Sequence, residues 1–209
     1  MRGAGPTTQA AVRRFLATGE LRAIEGSSIG AAMRALPFGW ATPVAAAANR
    51  RELTIRLSRT THGAPEAIIS ACVVAEMAAR AIEQHPIDTV VAAGLCEAEE
   101  LAQQQALHPG TLQPLRRAIS EDWPSNKAEP TLDALATVAN VLHVLREARG
   151  LVTAMKHAVS MPCLGCDPAS PLSNQLSDGP LVRPWSGAKV VASGSPRLRR
   201  AATAATNPN

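Results

Sequence analysis

Pro65-Glu66-Ala67-Ile68-Ile69-Ser70-Ala71-Cys72-Val73-Val74-Ala75-Glu76-Met77-Ala78-Ala79-Arg80-Ala81-Ile82-Glu83-Gln84 is the stretch on which the fold turns. Proline at the first position of a helix gives up no hydrogen bond, so Pro65 reads as a helix start. Ile68, Ile69, Cys72, Val73, Met77 and Ile82 recur near a period of 3.6 and are too many for one narrow stripe. A helix apolar on several faces belongs at the centre of a helical assembly. Val and Ile elsewhere before residue 170 also sit in Ala-rich windows rather than in alternating runs, so the predicted class is all-α.

Outward from this helix the same reading predicts one over 86–105, with Ile87, Val90, Val91, Leu95 and Leu101 inward and Glu97, Glu99 and Glu100 on a solvated face. A weaker helix spans about 112–119, and two more follow near 131–147 and 150–160, after the connector Asp122 to Lys127. On the N-terminal side, Pro6-Thr7-Thr8 starts a helix that Gly19 ends, with Ala11, Val12, Phe15 and Leu16 on one face. Met33 and Leu36 form a short helix that Pro37 restricts. Thr42-Pro43 restarts one that runs to about Ser58, with Arg50, Arg51 and Glu52 in solvent.

The chain has 209 residues, 46% of them hydrophobic and only 2% aromatic, with no tyrosine. That is enough apolar material for one core, built from Ala, Val, Leu and Ile, and it disfavours base-stacking platforms. The formal charge of +4 lies entirely beyond Ser170, where Arg183, Lys189, Arg197, Arg199 and Arg200 face only Asp178. The first 170 residues are electrically balanced, so no nucleic-acid partner is expected. Residues 171–209 shift to Ser, Pro, Gly, Ala and Thr without a period and read as a disordered, low-complexity basic tail after a 1–170 helical domain. Cys163 and Cys166 form a Cys-x-x-Cys, but Cys72 and Cys96 stand alone in helical windows and do not complete a zinc set. No export signal is visible, free thiols suit the cytoplasm, and charges such as Glu76 and Arg80 interrupt every apolar run, so no membrane partner is expected.

Gly26-Ser27-Ser28-Ile29-Gly30-Ala31-Ala32-Met33-Arg34-Ala35-Leu36-Pro37 carries the functional signal. Gly26 and Gly30 permit positive φ, Ser27 and Ser28 suit an N-cap, and a helix N-terminus attracts anions. On local chemistry the loop reads either as a tight turn or as a phosphate cradle. It is followed by Ser58-Arg59-Thr60-Thr61-His62 and, a hundred residues later, by Gly165-Cys166-Asp167-Pro168-Ala169-Ser170. That succession resembles the ADP-ribosylglycohydrolase family, over about residues 5–170. Its members carry a Gly-Asn-Gly-x-x-Met-Arg-x-x-Pro loop, a Ser-x-x-Thr-His segment and a C-terminal Gly-Gly-Asp-Thr-Asp-Thr metal motif.

The resemblance implies a compact, multi-helix orthogonal bundle that binds ADP-ribose or an ADP-ribosylated substrate. Ser28, Gly30 and Ala31 would approach the diphosphate, Met33 and Arg34 would support that loop, and His62 would line the pocket. Each has a structural alternative: Met33 as a core gap-filler, Arg34 as a cap or ion-pair partner, His62 as a loop histidine. The resemblance further implies magnesium or manganese held by carboxylates and hydroxyls, whose chemistry is metal-dependent removal of ADP-ribose from a protein or small molecule.

The metal motif departs from the family pattern. Asp167 and Ser170 keep oxygen donors, Ala169 replaces the second aspartate, Pro168 replaces a threonine, and residues 1–25 hold no aspartate. The expectation is therefore an incomplete, truncated domain with impaired hydrolysis, whose unpaired apolar face leads to self-association or to a partner chain supplying the missing helices. A non-catalytic nucleotide-binding module and a helical interaction protein are the alternatives.

Overall fold

The computed structural model describes residues 5–120, 123, 133–148, 153 and 156. These residues belong to the first of the two units into which the chain divides, Met1–Cys166. They form eight α-helices: α1 (Pro6–Thr18), α2 (Gly30–Met33), α3 (Leu36–Trp40), α4 (Ala47–Ser58), α5 (Pro65–Ile82), α6 (Ile87–Gln104), α7 (Gln113–Ile119) and α8 (Ala134–Glu147). Short 3-10 turns at Val44–Ala46 and Pro109–Leu112 lead into α4 and α7. Among the described residues the sole β pairing is an isolated bridge between Ser28 and Asp133. The fold is all-α.

α5 is the hub, packing against α2, α3, α4, α6 and α8. On one side Ile68, Ile69, Cys72 and Val73 meet Leu101 of α6, Leu115 of α7 and Leu142 of α8 in one buried cluster. Complete burial of each such aliphatic side chain contributes about 1.5–3 kcal/mol. On the other side Ala67, Ala71 and Ala75 meet Ala31, Ala35 and Ala134, and these small side chains let the backbones approach closely. Gly39 extends that contact: a Cβ there would sit 2.3 Å from the Ala75 carbonyl oxygen.

The helix starts at Pro65 and Pro6 and the stop at Gly19, where φ is 74°, agree with the sequence reading. Two local expectations fail, and one helix that forms as read goes uncovered. Pro37 does not restrict the preceding helix but occupies the first turn of α3, where its missing N–H costs nothing. Ile29, not a serine, caps α2, and it does so without a side-chain bond. α1 buries none of its residues, leaving Phe15 42% and Leu16 77% exposed, because an amphipathic period fixes a face but not what covers it.

The charges of α4 and α6 also depart from a solvated face. Arg50 is fully buried, its Nε donating to Glu76 Oε2 at 3.1 Å and its Nη1 to the Pro43 carbonyl at 2.9 Å. Glu76 accepts in turn from Arg80 Nε at 2.7 Å. Arg51 forks onto Glu97, with Nε to Oε1 and Nη2 to Oε2 both at 2.7 Å, and Nη1 reaches Glu100 Oε1 at 2.6 Å. Those bonds raise the Arg51 pKa further and lower that of Glu100. Glu97 is buried, whereas Glu52 stands in solvent. Arginines of α4 pair with glutamates on the neighbouring helices α5 and α6, a relationship that single-helix periodicity does not register. The helix expected near 150–160 lies outside the described residues except for 153 and 156.

Candidate functional site

Residues 19–29 run as an extended segment pinned on both sides. The Ala23 N–H donates to the Arg59 carbonyl at 2.7 Å, the Gly63 N–H to the Glu25 carbonyl at 2.9 Å, and the Ala134 N–H to the Ser27 carbonyl at 3.3 Å. Gly26 turns the segment with φ 112°, a conformation open to glycine, and its absent Cβ leaves room for Thr7 Cγ2. Gly30 takes no positive φ; it is helical, and a Cβ there would lie 2.8 Å from His62 Nε2 and 2.9 Å from Cε1. The glycine is the seat of the imidazole.

His62 is 1% exposed, and both ring nitrogens are engaged. Nε2 lies 3.0 Å from Ser28 Oγ, which lies 3.0 Å from Thr7 Oγ1. Nδ1 lies 2.8 Å from Thr61 Oγ1 and 3.4 Å from Arg34 Nη2. Arg34 Nη2 also donates to Thr61 Oγ1, while its Nε donates to the Gly30 carbonyl at 3.1 Å. A guanidinium only donates, so Thr61 accepts from Arg34 and passes its own proton to His62 Nδ1. The ring then carries its proton on Nε2 and donates it to Ser28. This chain assigns the neutral tautomer, and the electrostatics agree: burial, then the nearby Arg34 charge, push the His62 pKa down to about 4. A neutral ring with both nitrogens committed orients hydroxyls; it does not exchange protons near neutrality.

The structure thus brings Ser28, Gly30, Arg34 and His62 into one cluster. Ala31 is buried beside it against α5, in the alanine seam. Met33 is not a core residue: at 70% exposed it points away from the packed interior. Arg34 is the C-cap residue of α2, and among the described residues it forms no ion pair; its side chain joins the loop to the Thr61-His62 segment. Thr7 and Thr61 are members that the sequence reading did not single out. Thr61 lay inside the quoted motif and adjacency to His62 was its signal; Thr7 gave none, since it reaches Ser28 across 21 residues.

The expected metal ligands Asp167 and Ser170, like the Cys163/Cys166 pair, lie outside the described residues. Among the described residues no group of three or more His, Cys, Asp or Glu side chains converges on a point where a cation could sit. The described donor set does not fit a magnesium or manganese centre. Among the described residues no helix is long and apolar enough to cross a membrane.

Among the described residues, a helical domain carries a glycine-serine loop that closes on a Thr-His segment through a buried imidazole. The model of the family described as ADP-ribosylglycohydrolase matches residues 1–162, and the chain belongs to that family. No curated protein matches the chain.

Proposed function

We propose that this chain is an ADP-ribosylglycohydrolase-like protein that recognises ADP-ribose, free or carried on a protein or small molecule, with its hydrolytic step impaired. The observation that carries the reading is the hydrogen-bonded chain from Arg34 through Thr61 and His62 to Ser28, which joins the two motifs that bear the family resemblance. Membership of the family supports a ligand of this class. In this reading the loop Ser28 to Ala31 faces the diphosphate, Arg34 and His62 hold the loop in shape, and exposed Met33 borders the ligand. Magnesium or manganese is the cation that the family chemistry implies.

A second reading, binding without turnover, is favoured by the neutral and fully committed His62 ring, which offers no proton to a leaving group. Calorimetric titration with ADP-ribose tests recognition, and release of ADP-ribose from a modified substrate in the presence of magnesium or manganese tests turnover. Binding lost in Ser28→Pro with turnover near zero supports the proposal. Heats unchanged by Ser28→Pro and by His62→Ala refute it, and rapid metal-dependent release refutes the impairment. Self-association belongs to the same reading, supported by the uncovered Phe15 and Leu16 of α1; a single monomeric species in sedimentation at all concentrations would exclude it.

A further inference from the structure

An open cleft of about 760 Å³ lies between the 20–24 segment, the end of α4 and the start of α5. Three guanidinium groups, Arg14, Arg22 and Arg59, line it together with the single carboxylate of Glu20. Arg14 is already used, pairing with Glu20 and donating to the Arg22 carbonyl. That contact fixes the backbone of Arg22 and cancels the one acid. Arg22 and Arg59 pair with no carboxylate among the described residues. Elsewhere in the domain the interior arginines are satisfied: Arg50, Arg51 and Arg80 each have a glutamate. The rest of the lining is mostly apolar, with Leu21 and Ile24 exposed, Ile68 buried, and Gln105 its polar member.

We infer that this cleft is a binding site for a phosphate or diphosphate group on a small molecule, gripped by Arg22 and Arg59. Two unpaired cations with one neutralised acid leave the cleft a net positive charge, which attracts an anion. A guanidinium presents a planar fork that matches two phosphate oxygens, and two forks suit the oxygens of a diphosphate better than a single carboxylate. The backbone under each arginine is fixed, because the Ala23 N–H donates to the Arg59 carbonyl at 2.7 Å and so couples the two sides of the cleft. Leu21 and Ile24, both exposed, offer a surface for the uncharged body of the ligand. The inference does not rest on ADP-ribose recognition at the His62 cluster; the cleft takes a diphosphate whether or not that cluster binds anything.

Inorganic pyrophosphate and inorganic phosphate, titrated calorimetrically into the full chain at low ionic strength, test the site. Pyrophosphate binds with one-to-one stoichiometry, more tightly than phosphate, and the affinity falls steeply with salt. Arg22→Gln and Arg59→Gln each weaken it on the order of tenfold, the loss of one charge-assisted fork, and the double variant abolishes it. Arg56→Gln, on the exposed face of α4, leaves it unchanged. A second measurement needs no variant: pyrophosphate protects Arg22 and Arg59 of the native protein from phenylglyoxal, read by peptide mass, while Arg56 stays reactive. No pyrophosphate binding, binding that survives the double substitution, or protection spread evenly over all three arginines overturns the inference. Because pyrophosphate lacks the ribose and adenine, its failure to bind leaves the ADP-ribose reading standing, and binding of ADP-ribose that is indifferent to Arg22 and Arg59 separates the two sites.

Discussion

Ser28 Oγ and His62 Nε2 lie 3.0 Å apart across 34 residues of chain, and that bond holds the glycine-serine loop against the segment that precedes the hub helix. Each residue also has a second partner. The serine hydroxyl is shared with Thr7, and the ring's other nitrogen with Thr61. Removing the ring therefore takes one partner from each of two hydroxyls and opens a void under Gly30. We expect His62→Ala to lower the unfolding free energy by about 2–4 kcal/mol in urea titrations, from lost packing and lost hydrogen bonds. His62→Gln, which retains a donor and an acceptor, loses less than half of that.

The same ring gives a pH signature. Its pKa of about 4 in the folded chain stands below the ordinary 6.5, so between those values the unfolded chain takes up a proton that the folded one refuses. Stability from this group is complete above about pH 6.5 and is lost as the pH falls toward 4. The loss is on the order of 2–3 kcal/mol. Carboxylates titrate in the lower part of that window as well, so the check is a difference: the wild-type minus His62→Gln stability falls with decreasing pH, and a flat difference refutes the assignment.

Gly30 tests the seat itself. At an ordinary helical glycine, alanine stabilises by up to about 1 kcal/mol. Here the added methyl would stand 2.8 Å from Nε2, so the ring must tilt and release Ser28. Gly30→Ala should therefore destabilise by about 1–2 kcal/mol, and in the His62→Ala background the same substitution becomes neutral or favourable. Additive effects in that double-mutant cycle would show that the ring does not rest on the glycine.

The contrast between what was legible in the sequence and what was not follows from range. Pro6, Gly19 and Pro65 act through their own backbone, and the elements they bound came out as read. The cluster of Ser28, Gly30, Arg34 and His62 was legible because two short motifs carried it. Arg50, Arg51 and Glu97 were not, because a charged residue on a helix looks solvated until its partner on another helix is known, and Arg50 meets Glu76 across 26 residues. Gly30 was read as a glycine free to take positive φ and serves as clearance, a role that only the approaching ring defines. Met33 and Ala31 exchanged environments for a similar reason: the close packing of α2 on α5 admits a methyl and sends the longer side chain to the surface.

The two native thiols of the described region should separate by reactivity. Cys72 is buried within the hub helix, and burial together with the nearby Glu97 charge pushes its thiol above the ordinary range. Cys96 is exposed on α6. Since the thiolate is the reacting species, iodoacetamide on the native protein labels the Cys96 peptide and spares that of Cys72 until denaturant is added. Equal labelling at neutral pH without denaturant would place Cys72 outside the core.

The buried pair of α4 and α5 yields the largest expected change. Glu76→Gln leaves the Arg50 guanidinium sealed from water without its counter-charge, and Arg80, which is partly exposed, cannot take over that interaction because it bears the same sign. Breaking a buried pair from one side costs about 3–5 kcal/mol, whereas replacing both members by apolar side chains of similar volume is often neutral. Glu76→Gln should thus come close to unfolding the domain, and the combined Arg50→Met, Glu76→Leu variant should recover most of the loss in urea midpoints. Arg80→Ala alone, which leaves the Arg50 bond to Glu76 intact, should cost less than about 1 kcal/mol. If the double variant were as unstable as Glu76→Gln, the contribution of the pair would lie in the Arg50 bond to the Pro43 carbonyl, which methionine also removes, and the single change Arg50→Met would then show the full loss.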